Sequence, residues 1–251
     1  MISLGLLVTA LLSYHSSLRK RLVSGDFYLN TIFFATIVGF IGGRIMYLFT
    51  NWQSFAANPI EVLYPWEGGF SLLGSFVCVP LFLWWYLSRN QVPILPFFDF
   101  VALYIPLLQA IARIGCHLAG CCYGISISKQ TWYSIIYNHP DSLAPLHVFL
   151  HPTQLYSSAL SFIIFCILQI SALVLLKTPG KITALFFALE GFARFIIDFW
   201  RGDRCGLLTL GGAQSTYSDF VSISSYQLLA LILSLGGIIG FFILKKNRDT
   251  K

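Results

Sequence analysis

The strongest chemical signal in the chain is a set of charges inside an apolar stretch. Glu190, Arg194 and Asp198 are spaced i, i+4 and i+8. On a helix they share one face, and Arg201 follows three residues later. If the stretch spans a bilayer, an arginine at its centre costs about 2.5–3.5 kcal/mol on insertion scales. One reading is a self-neutralising stripe that holds helices together. The other is a polar cavity for an anionic ligand, because the planar guanidinium fork donates two parallel charge-assisted hydrogen bonds to a phosphate. Inside a membrane the anion at hand is a phospholipid head group. Arg44 and Arg113 also fall in apolar stretches, closer to their ends, where snorkelling reduces the cost.

A second cluster lies at 112–124, which reads ARIGCHLAGCCYG. Three chemistries compete for it. His117 and Cys121 are four apart and could ligate a metal with Cys116 or Cys122. Cys121 and Cys122 could form a redox pair, although they lack the usual CxxC spacing. The favoured reading is structural: small, soft residues and glycines let a helix end pack tightly. No second cluster with ligand spacing exists, so no metal is expected, and no cofactor. The six cysteines do not suggest a disulfide scaffold, and Cys78 and Cys166 sit in apolar runs as packing residues. The patterns GxSxG, HExxH and the P-loop are absent.

The elements that position these residues follow from hydropathy. Of 251 residues 57% are hydrophobic and only 10% charged, and the mean hydropathy is +0.75. Soluble domains are about a quarter charged, so a soluble protein of this composition would lack polar surface to cover itself. A span needs about 20 mainly apolar residues. Seven candidates occur at 2–17, 28–50, 68–88, 97–118, 153–176, 182–200 and 225–244, the first short for a full crossing. The expectation is an all-α polytopic membrane protein with about seven transmembrane helices, forming a single membrane domain over 1–251. No cleavable signal peptide is expected, because 1–12 lacks a basic start and a small-residue cleavage site.

The net charge of +6 does not form a patch of the kind that binds nucleic acid. Ten of the lysines and arginines fall in the connections and C-terminal tail of one side and three in the connections of the other. By the positive-inside rule this places the N-terminus outside and the C-terminus in the cytoplasm. The longest connections, at 51–67, 119–152 and 201–224, then lie outside. The middle one is rich in aromatic residues and histidines, and long outer segments suggest that substrate is handled there. Gly39, Gly42 and Gly43 beside Arg44, and the glycines of EGGFSLLGS at 67–75, offer flat surfaces for close helix contact.

RIGCHLAGCCYG at 113–124 resembles the signature segment of the prolipoprotein diacylglyceryl transferase family, with Arg113, Gly115 and Gly124 on its arginine and glycines. HPTQLY at 151–156 resembles the family's His-Pro-Ser/Thr-Gln-Leu-Tyr motif and contributes His151, Gln154 and Tyr156. EGFARFIIDFWRGD at 190–203 is similar to its late helix, with Arg194 on the second essential arginine and Asp198 and Arg201 on a further acid and arginine. WEGGFSLLG at 66–74 matches the Gly-Gly motif through Gly68 and Gly69, and SISSYQ at 222–227 matches the start of the last span. The motifs occur in family order over nearly the whole chain.

The resemblance implies a multi-pass enzyme of the bacterial inner membrane. It would move the diacylglyceryl group of phosphatidylglycerol to the lipobox cysteine thiol of a preprolipoprotein, with Arg113 and Arg194 as the catalytic pair. The other matched residues would bind substrate, in contact with membrane lipid and without nucleic acid. The chain departs from the family pattern at Leu73, Cys116, Cys121, Ser157 and Glu190. These changes keep the arginines but remove a proposed base and several polar partners, and leave His117 as the base nearest in sequence. The alternatives are a related phospholipid head-group transferase with another acceptor, and a non-catalytic membrane protein that binds anionic lipid.

Overall fold

The computed structural model describes residues 1–52, 69–202 and 224–244. Gly68, Cys205 and Arg204, the basic tail beyond Leu244, and most of the connections at 51–67 and 201–224 lie outside them. The described residues form nine helices: α1 (Ile2–His15), α2 (Ser17–Leu22), α3 (Gly25–Thr50), α4 (Leu72–Arg89), α5 (Ile94–Ala102), α6 (Ile105–Ala119), α7 (Thr153–Leu175), α8 (Lys181–Asp198) and α9 (Ser225–Ile243). Among the described residues there are only isolated β-bridges and no strand.

Among the described residues, four stretches are long and apolar enough to cross a membrane: Gly25–Thr50, Ile94–Ala119 (α5 with α6), Thr153–Leu175 and Tyr226–Ile243. The expected all-helical membrane architecture is therefore present. Helices α1 and α4 are apolar but shorter. The 14 residues of α1 rise about 21 Å against a hydrocarbon core of about 30 Å. Helix α8 is continuous, but Glu190, Arg194 and Asp198 break its apolar run and it begins on Lys181.

The chain divides into two compact units, Tyr14–Phe97 and Met1–Ser13 with Phe98–Lys251. In the first, the glycines of α3 face α4. A Cβ on Gly42 would lie 2.7 Å from Cys78 Cβ, and one on Gly74 would collide with the Gly42 carbonyl. The Ser75 hydroxyl donates to Gly39 O at 2.6 Å. The two backbones approach closely because neither carries a side chain at the crossing. Cys78 is thus a packing residue, as expected. Arg44 donates to Gly69 O at 3.0 Å, with Tyr47 and Phe70 rings within 6 Å of its guanidinium.

In the second unit α7 packs on both α6 and α8, and α8 packs on α9. Gly191 and Gly237 permit the last crossing: a Cβ on Gly191 would lie 2.6 Å from Ala230 O, and one on Gly237 2.5 Å from Ala188 N. The start of α8 is capped from a distance. Asp99, buried on α5, accepts hydrogen bonds from Gly180 N at 2.6 Å, Thr183 N at 2.8 Å and Thr183 Oγ1 at 2.8 Å. These amides belong to the first turn, which has no carbonyl partner within the helix. Asp99→Ala should cost about 1–3 kcal/mol by leaving buried donors without an acceptor. Thermal unfolding in detergent would show it as a lower midpoint, and Asp99→Asn, which keeps one acceptor, should lose less.

Candidate functional site

Helical spacing brings three faces together in the second unit. Arg113 of α6, Ser157, Leu160 and Ser161 of α7, and Glu190, Ala193, Arg194 and Ile197 of α8 line one pocket. The α7 residues are spaced 0, 3 and 4, and the α8 residues 0, 3, 4 and 7, so each set is one stripe of its helix. Arg113 and Arg194, distant in sequence, thus share a cavity. Glu190 lies in the field of both guanidinium groups. Its Oε1 accepts from Gln109 Nε2 at 3.0 Å, and its Oε2 is buried with no hydrogen-bond partner among the described residues.

Asp198, on the same stripe, turns elsewhere as well. It is fully buried, and its Oδ2 accepts from the Ser224 hydroxyl at 2.5 Å. Ser224 is the N-cap of α9 and forms a capping box with Gln227. Asp198 therefore ties the end of α8 to the start of α9.

The loop after α6 is built by a reversal. Gly120 closes the helix with φ 70°, a left-handed conformation that costs glycine little. Cys121 N then returns to Cys116 O at 3.1 Å. Gly124 sits between two other motifs: a Cβ there would lie 2.5 Å from His151 O, and one on Gly202 would lie 2.7 Å from Gly124 O. Backbone pairing joins the three segments, with Gly124 N donating to His151 O at 3.1 Å, Ile125 N to Trp200 O at 2.9 Å and Gly202 N to Tyr123 O at 3.0 Å. An isolated bridge pairs Gly124 with Arg201. Three of the segments that resemble the family's motifs are thus held together.

The HPTQLY segment clamps this loop. Thr153 Oγ1 donates to Cys122 O at 2.9 Å and Gln154 Nε2 to Cys121 O at 2.8 Å, and both residues are 1% exposed. Gln154 also reaches Tyr137 Oη at 3.4 Å. Tyr137 donates to His117 O at 2.9 Å, and its oxygen lies 3.3 Å from His117 Nδ1. With the hydroxyl hydrogen committed to the carbonyl, Nδ1 carries the histidine proton and Nε2 is the basic nitrogen, an assignment made from the network. Burial, with Cys121 alongside, pushes the Tyr137 phenol up, which keeps it a donor. His151 is half-buried, stacks on Tyr133 with centroids 5.4 Å apart, and has Nδ1 3.4 Å from Tyr156 Oη. Burial lowers its pKa, so its neutral form is favoured near neutral pH.

Of the residues singled out from sequence, the pocket unites Arg113 and Arg194. Gly124, His151, Gln154, Tyr156 and Arg201 belong to the adjoining loop region of the same unit. Gly115 faces the start of α1, where a Cβ would lie 2.6 Å from Met1 Cβ. Gly69, with φ 80°, belongs to the other unit and lies against the Tyr47 ring. Sequence reasoning did not assign Gln109, Ser157 or Ser161 to the site, and treated Glu190 as a stripe residue. The available signal was spacing: Gln109 is four residues before Arg113 and Glu190 four before Arg194.

The sequence matches the family described as prolipoprotein diacylglyceryl transferase over residues 1–243. It is 30% identical over 252 residues to the phosphatidylglycerol–prolipoprotein diacylglyceryl transferase of Clostridium tetani, covering 100% of this chain and 92% of that protein. It is also 30% identical over 259 residues to transferase 2 of Clostridium perfringens, with the same coverages. A Neisseria gonorrhoeae transferase of the same name is 32% identical over 222 residues, covering 80% of this chain and 74% of that protein.

Proposed function

The chain belongs to the prolipoprotein diacylglyceryl transferase family, and we propose that it transfers the diacylglyceryl group of phosphatidylglycerol to the lipobox cysteine thiol of preprolipoproteins. It is a membrane enzyme of lipoprotein biosynthesis. The observation that carries the reading is the shared pocket of Arg113 and Arg194 around Glu190. Two guanidinium groups in one pocket supply the positive charge that a phosphodiester's negative charge requires.

The substrate thiol loses its proton and its sulfur attacks the carbon of the diacylglyceryl group that is bonded to the phosphate oxygen. The carbon–sulfur bond forms, the carbon–oxygen bond breaks, and glycerol phosphate leaves with the electron pair. Arg113 and Arg194 stabilise the charge that develops on the leaving phosphate. Glu190 Oε2, buried and open to a donor, suits a hydroxyl of the glycerol head group. His117 Nε2 is the proposed acceptor of the thiol proton. Gln154, His151, Tyr156, Gly124, Gly115, Asp198 and Arg201 complete the substrate-binding region of this unit, the buried ones by positioning backbone, and Gly68 and Gly69 are assigned to substrate by the family resemblance alone.

The decisive experiment incubates purified protein with phosphatidylglycerol and a lipobox peptide. The expected result is a peptide heavier by one diacylglyceryl group. Phosphatidylglycerol consumed with the peptide unchanged would instead indicate another acceptor. Binding without turnover would indicate a lipid-binding protein.

For the topology we propose seven crossings of the bacterial inner membrane by one membrane domain, N-terminus outside, 119–152 extracytoplasmic and C-terminus in the cytoplasm. The ten-to-three charge asymmetry supports it. A reporter active only outside the cytoplasm should stay silent when fused after Lys251 and become active when inserted in 119–152. The reverse pattern would overturn the orientation.

A further inference from the structure

The turn that ends α6 gathers three thiols that the transfer reaction does not use. Cys116, Cys121 and Cys122 are each half-buried, and their sulfur atoms all lie within 4.8 Å of one another. Three features of the backbone bring them there. Gly120 reverses the chain with φ 70°. Cys121 N bonds back to Cys116 O at 3.1 Å. Cys122 adopts φ 56°, a left-handed conformation uncommon for a residue with a side chain. Neither a histidine nor a carboxylate contributes to the group among the described residues, and Tyr137 has its hydroxyl hydrogen committed to His117 O.

We propose that Cys116, Cys121 and Cys122 form a binding site for a single Cu(I) ion. Thiolate donors select soft cations. Structural zinc sites are almost always closed by four protein ligands, whereas three sulfurs match a trigonal d¹⁰ ion of single charge. Binding exchanges thiol protons for the metal ion without electron transfer. The site differs from a resident catalytic metal, which the sequence does not lead one to expect; it takes up an ion on exposure.

The test uses the full chain in detergent, reduced, titrated with Cu(I) against a chromophoric copper chelator. The wild type should withdraw one equivalent. A variant in which Cys78, Cys166 and Cys205 are replaced by serine keeps only the three thiols and should also withdraw one. Replacing Cys116, Cys121 and Cys122 by serine should abolish the uptake, with helical circular dichroism reporting that the variant is folded. X-ray absorption of the loaded three-thiol variant should show three sulfurs at the copper. No uptake by the folded three-thiol variant, unaltered uptake without the three cysteines, two sulfurs at the metal, or preferential retention of Zn(II) would each overturn the assignment.

Discussion

Arg113→Ala should lower phosphatidylglycerol-dependent transfer by about 10²–10³-fold, the scale seen when a donor to developing negative charge is removed from a preorganised site. Arg113 is the contribution of α6 to the pocket. Its loss removes one of two cations expected on the phosphate. It also removes one of the two guanidinium groups whose field reaches Glu190. Rates of peptide modification measured under saturating and subsaturating lipid would register the loss in kcat as well as in apparent affinity. A variant that folds and transfers at a near-normal rate would mean that the charged face is structural only.

Arg194→Lys is the second large effect and a sharper one. The charge stays, and with it the electrostatics around Glu190, but the planar fork is lost. A charge-assisted hydrogen bond contributes about 1.5–3 kcal/mol, which corresponds to about ten- to a hundredfold in rate if the bond is made fully in the transition state. The expected outcome is a folded protein with sharply reduced transfer, and the thermal midpoint should move little. Leu73→Ala is the contrast. Leu73 is exposed on α4 and cannot take a proton, so its replacement should matter far less than either arginine change. Equal losses at Leu73 and Arg194 would point to a general sensitivity and not to phosphate recognition.

Part of the site was legible as helical spacing, because residues three and four apart on a helix share a face whatever the surroundings. That is why Glu190 and Arg194 meet the same pocket. The same rule put Asp198 on the stripe and could not foresee its bond to Ser224, because the N-cap of α9 comes from a different part of the chain. The role of Gln154 was hidden for a related reason. Its type and motif suggested contact with substrate, whereas in the fold it is buried and bonded to Cys121 O. The thiol cluster was only partly legible. The spacing offered His117 and Cys121 with Cys116 or Cys122 as one candidate ligand set, whereas the left-handed turn at Gly120 folds the chain back and gathers the three sulfurs without the histidine.

The sequence by itself determined that the chain is a helical membrane protein, since long apolar runs with few charges can satisfy their backbone in lipid only as helices. It also determined the family, through motifs in order along the chain. Hydropathy and spacing are local properties, and they survive without knowledge of any partner. What only the tertiary structure decided is which local features face each other. Arg113 and Arg194 lie 81 residues apart and meet because α7 packs on both α6 and α8. Asp99 caps a helix that begins 82 residues later. The crossing of α8 and α9 is decided in the same way, at Gly191 and Gly237, where the absence of a side chain lets the backbone of one helix meet the other.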